Sequence, residues 1–76
     1  MMPSVEKLIE KMKRQPNGIS IDEINKVLNH FDFKCKRQKG SHRTYRNDHG
    51  GILVIPVRKP TIKPVYVKNV LEKIEE

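Results

Sequence analysis

The apolar positions of the chain change period twice, and those changes divide it into helices and strands. Val5, Leu8, Ile9 and Met12 recur at i, i+3, i+4 and i+7, the single apolar stripe of a helix that begins after Ser4 and is stopped by Gln-Pro-Asn-Gly at 15–18. Ser20 with Glu23 three residues on has the spacing of a capping box, in which each side chain satisfies a free backbone N–H of the other. Ile21, Ile24, Val27, Leu28 and Phe31 then follow on one helical face. From Phe33 the period becomes two. Phe33 and Cys35 alternate with Lys34 and Lys36, which predicts a strand with a dry side, Cys35 included in the core, and a basic side. Gly40 breaks this strand, residues 41–47 form a second, and Asp-His-Gly-Gly at 48–51 is a turn. Residues 52–57, Ile-Leu-Val-Ile-Pro-Val, are a third strand, apolar throughout, with Pro56 near its end where a missing N–H costs least. Beyond Pro60 and Pro64, the positions Val67, Val70, Leu71 and Ile74 make a last helical stripe.

Three short antiparallel strands need a cover on one face, and the helices provide it. The expected architecture is therefore α+β in two layers, a three-stranded antiparallel sheet packed by helices in the order α-α-β-β-β-α, with one sheet face open. Seventy-six residues allow one domain, 1–76, with no internal repeat. On the second strand His42, Thr44 and Arg46 share one side, and Ser41, Arg43 and Tyr45 the other. Tyr45 is the largest apolar body of that strand and the better core member, so His42 is expected on the open face. Gly40, just before it, lets backbone or substrate come close.

Charge sharpens this picture because it is uneven. The chain carries 16 Lys+Arg and 9 Asp+Glu, a formal +7. Between Asp32 and Glu72 stand ten cations and one acid, Asp48, so this stretch is +9 and the remainder −2. Such a footprint fits a partner with a phosphate backbone, whose affinity comes largely from counterion release; a basic face kept for solubility is the plainer explanation. No apolar run approaches the roughly 20 residues of a spanning helix and no signal-peptide pattern opens the chain, so no membrane role is expected. Cys35 is the lone cysteine, which excludes a disulfide framework or thiolate metal site and fits a reducing cytoplasm. His30, His42 and His49 fall on a helix, a strand and a turn without ligand spacing, and no metal or other cofactor is expected. His30 suits a helix C-terminus by charge, and His49 suits a solvated turn.

His42 in Lys-Gly-Ser-His-Arg-Thr-Tyr-Arg is the position with chemical promise. Cleaving RNA without a metal requires a base to take the proton of a ribose 2′-OH, which then attacks the adjacent phosphate. The pentavalent anion must be stabilised and the departing 5′ oxygen protonated. A histidine among cations is favoured in its neutral, proton-accepting form, and the same cations hold phosphates. Lys39, Arg43 and Arg46 supply them here. For the general acid, Lys39, Tyr45 and His42 acting as a shuttle all remain open.

The order of capped helix, basic strand, Gly40-Ser41-His42 followed by an aromatic, apolar strand ending Val-Ile-Pro-Val, and Lys-Pro before the last helix resembles the HicA toxins. These are the small ribonucleases of HicA–HicB toxin–antitoxin pairs. The resemblance covers about residues 20–76, leaving residues 1–17 as an additional N-terminal helix. It implies a fold like a double-stranded RNA-binding domain, cleavage of messenger RNA, and neutralisation by a HicB-type antitoxin. The family's catalytic histidine falls on His42, and Lys36, Lys39, Gly40, Ser41, Arg43, Arg46 and Arg58 are the expected RNA contacts. Many members have Pro-x-His where this chain has Pro56-Val57-Arg58; if a second histidine assists the chemistry in those members, Arg58 could replace only its charge. The rival from another class is a non-enzymatic RNA-binding module of the same fold. Duplex-binding domains gather lysines at the start of the last helix, whereas Lys63, Lys68 and Lys73 are five residues apart, about 140° per step, and form no single patch.

Overall fold

The computed structural model of the chain describes residues 4–57 and 60–75. Helix α1 spans Val5–Arg14, α2 Ile21–His30 and α3 Pro64–Ile74; the strands are β1 Lys34–Lys39, β2 His42–Arg46 and β3 Ile52–Pro56. The sheet is antiparallel in the order β1-β2-β3, and its helix-facing side rests on one core with the opposite side free, the expected α+β arrangement.

Local signals act as the residue types demand. Ser4 caps α1 by accepting from the Lys7 N–H. A single 3₁₀ turn, Pro16–Gly18, then separates α1 from α2. At α2 the capping box is complete: Ser20 Oγ accepts from the Glu23 N–H at 3.3 Å, and Glu23 Oε1 accepts from the Ser20 N–H at 3.1 Å. The same carboxylate holds Lys11 Nζ at 2.8 Å and so ties α1 to α2. Burial of Glu23 acts to raise its pKa, but the hydrogen bonds from Lys11 and Ser20 outweigh it and the group sits below its ordinary value of 4.5. A depressed carboxylate contributes stability above its unfolded value, and that contribution disappears as pH falls through the folded one. Ser20→Ala should therefore cost about 1 kcal/mol. Glu23→Gln should flatten the decline in thermal stability expected below about pH 5, both effects being readable from melting curves over a pH series.

The end of α2 departs from expectation. Phe31 follows the helix and is 37% exposed rather than buried on the apolar face. The chain leaves the helix through Asp32, whose φ of 66° is left-handed. The Asp32 N–H bonds to the Asn29 carbonyl at 3.2 Å, and the Phe33 N–H to the Leu28 carbonyl at 2.9 Å. This pair of reversed bonds is a Schellman ending, with Asp in the place usually taken by glycine. It turns Phe31 outward and sends Phe33 into the core instead.

Tyr45 and Ile55 from the sheet, with Phe33 beside it, meet Leu8 and Met12 of α1, Ile24, Val27 and Leu28 of α2, and Val67 and Val70 of α3 in one buried cluster. The Tyr45 hydroxyl donates to Asn25 Oδ1 at 3.0 Å, so the largest buried side chain keeps its polar end satisfied. No residue of β1 enters that cluster, and Cys35 is exposed, contrary to the expectation that it belongs to the core. Cys35 lies opposite Tyr45 and so on the helix side of the sheet, but β1 is an edge strand that the helix layer does not cover.

Candidate nucleic-acid interface

Pairing along β2 fixes what the free face carries. In an antiparallel pair, directly opposed residues share a face, with their Cβ atoms about 5 Å apart. His42 opposes Lys39 on one side and Pro56 on the other; Thr44 opposes Arg37 and Val54; Arg46 opposes Lys34 and Ile52. The face opposite Tyr45 is thus a grid of three cross-strand rows. Its β1 column is all cation, its β2 column is His, Thr, Arg, and its β3 column is apolar, with Ile52 and Val54 each 47% exposed.

The cationic column depends on a one-residue bulge. The ladder runs regularly at Cys35↔Tyr45 and resumes at Arg37↔Thr44, leaving Lys36 as the extra residue. Simple alternation from Phe33 would place Arg37 and Lys39 on the same side as Cys35, towards the helices. The inserted residue inverts the alternation, as bulges do. Lys34, Arg37 and Lys39 then all face outward, and Lys36 joins Arg37, Thr44 and Arg46 around an open notch. None of Lys34, Lys36, Arg37, Lys39 and Arg46 is ion-paired among the described residues.

The hairpin between β1 and β2 is a two-residue turn. Gly40 has φ +59° and occupies the first central position, where a type II′ turn needs a residue able to take positive φ. A Cβ at Gly40 would meet nothing within 4 Å, so the backbone angle and not crowding selects glycine. Ser41 follows in the turn with its side chain exposed and its carbonyl accepting from the Val57 N–H, an extension of the β2–β3 ladder. His42 is therefore the first residue after a tight, backbone-anchored turn, exposed on the free face.

The other candidates distribute as follows. Lys36, Lys39 and Arg46 share the free face with His42. Arg43 does not: it points to the helix side with Tyr45. Its guanidinium is held more firmly protonated by hydrogen bonding with Tyr45, and its Nε donates to Gln38 Oε1 at 3.2 Å. Arg58 lies outside the described residues. Tyr45, one of the candidates for general acid, is buried on the opposite face with its hydroxyl engaged by Asn25, which removes it from that role. His30 and His49 border a different depression with Phe31 and Lys73, at the far end of β2 from His42. Among the described residues no group of three or more His, Cys, Asp or Glu is placed to hold a metal ion. Arg37 and Thr44 were not expected at the site. The adjacent cations Lys36-Arg37, where an alternating strand should show one, are the trace that the bulge leaves in the sequence.

Fold and site together define a small α+β domain with an open, strongly basic sheet face and an exposed imidazole at one end of it. Residues 21–75 match the family model described as HicA toxin of bacterial toxin-antitoxin, and the chain belongs to that family, whose dsRBD-like fold this arrangement fits. No curated protein and no solved structure matches the chain. The match begins at the first residue of α2, so α1 lies outside it. Among the described residues no helix is long and apolar enough to cross a membrane.

Proposed function

We propose that the protein is an endoribonuclease that cleaves messenger RNA on the open sheet face, with His42 as general base. The observation that carries this reading is the first row of the grid, an exposed imidazole directly opposed by Lys39. The imidazole takes the proton of a ribose 2′-OH, and the freed oxygen attacks the adjacent phosphorus. The bond to the 5′ oxygen then breaks, leaving a 2′,3′-cyclic phosphate on one product and a 5′-hydroxyl on the other. Lys39 neutralises the pentavalent anion, and the proton on the leaving oxygen comes from the imidazolium or from Lys39. Lys36 and Arg46 hold flanking phosphates; Gly40 and Ser41 present the turn against which the strand lies. Arg43, bonded to Gln38, braces the hairpin and adds long-range charge. Arg58 completes the set of proposed RNA contacts on sequence grounds.

The family pairs a toxin with an antitoxin. A HicB-type antitoxin presenting an acidic segment would complement the basic face, in the cytoplasm where message is available. The purified protein should cut single-stranded RNA in EDTA without a ribosome, and end-group analysis should find cyclic phosphate or its hydrolysis product. Activity lost on chelation and restored by a divalent ion, or a clean 5′-phosphate, would overturn this mechanism.

A further inference from the structure

We infer that the notch at the bulge, lined by Lys36, Arg37, Thr44 and Arg46, is a phosphate subsite for the linkage next to the scissile one. It serves a single RNA strand lying along β2. The inference rests on the reading of this face as the ribonuclease site. Its own basis is the geometry of the grid. Thr44 is two residues beyond His42 on the same face, about 7 Å along an extended strand. That is close to the separation of successive phosphates in an extended single strand. A phosphate undergoing attack in the first row therefore places its neighbour at the second. There the bulge brings an extra cation: Lys36 and Arg37 stand together where a regular strand would supply one outward residue. Thr44 adds a hydroxyl donor to the notch that Arg37 and Arg46 also line. Those two guanidinium groups can meet a phosphate through paired N–H bonds, and no carboxylate among the described residues competes for either.

The columns also orient the strand. With every β1 residue of the grid cationic and every β3 residue apolar, the sugar-phosphate backbone lies toward β1 and the bases lie over Val54 and Ile52. An apolar bed offers bases contact without hydrogen-bond readout, and it is reachable only by unpaired bases.

The test is a methylphosphonate scan. A short RNA whose cleavage point has been mapped with wild-type protein is made uncleavable by one 2′-deoxy substitution. Each phosphate is then neutralised singly, and binding is followed by fluorescence anisotropy. One linkage adjacent to the scissile phosphate should stand out, its neutralisation weakening wild-type binding roughly tenfold, as for loss of a charge-assisted contact. In Arg37→Ala the same neutralisation should change binding less than about twofold, because the partner is already gone. Arg14→Ala, which removes a charge from α1, should keep the full sensitivity. If Arg37→Ala keeps it too, or if all phosphates weigh equally, the subsite is wrong. A wild-type protein that binds an RNA without cutting it would overturn the ribonuclease reading and with it the place of the subsite beside a scissile linkage; coupling between Arg37 and one phosphate of that RNA would then decide only whether the notch holds a phosphate. Absence of binding would overturn both.

Discussion

His42→Ala is expected to abolish RNA cleavage and growth inhibition in a protein that remains folded and still binds RNA. The side chain is exposed on the free face and takes no part in the core, so its removal should alter stability by no more than about 0.5 kcal/mol. As general base it should contribute about 10²- to 10⁴-fold in rate. His30→Ala and His49→Ala are the matched controls: both residues are exposed, and both lie at the other end of β2. Cleavage, RNA affinity and melting temperature measured on all three variants separate catalysis from folding. A His42 variant that cuts at the wild-type rate would remove the catalytic assignment. Tight binding by wild type with no cleavage at all would instead favour a non-enzymatic RNA-binding module.

The second large effect is structural. Tyr45→Ala should lose about 3–5 kcal/mol, the range for emptying a buried aromatic site. For a chain of this length total stability is roughly 4–11 kcal/mol, so the loss removes from about a quarter to all of it and lowers the melting temperature sharply. Tyr45→Phe keeps the ring and removes only the bond to Asn25, and should cost about 1 kcal/mol. Thermal or urea melts of the two variants check the ratio. Equal losses would mean that the hydroxyl and not the ring holds β2 to α2.

Local chemistry made much of this fold legible before any coordinates. The stripes of α1, α2 and α3 need only neighbours a turn apart, and the Ser20–Glu23 box is complete within one turn. The free-face position of His42 followed from a single anchor, Tyr45, because alternation over three residues leaves no room for error. What escaped notice depends on more than local pattern. Phe31 turned outward because Asp32 takes a left-handed angle that glycine usually signals. Cys35 had the right period for burial, but whether a face is covered depends on how far the helices reach, and they stop short of β1. Arg37 joined the site through an inserted residue in β1, which has no hydrophobic signature and reverses every side chain after it, whereas Thr44 already lay on that face by alternation along β2.

The edge position of β1 has an evolutionary consequence. All six of its residues are exposed and none supports the core, so substitutions there are largely released from the requirement to keep the protein folded. The strand that carries most of the free-face charge can drift in sequence while Tyr45, Ile55 and the helices hold the scaffold constant. Affinity for a polyanion, and the match to a neutralising protein, can then diverge between lineages by single steps, each close to neutral for stability. Tyr45 sits on the central strand, inside the constrained part of the sheet, where the same drift would carry a folding penalty.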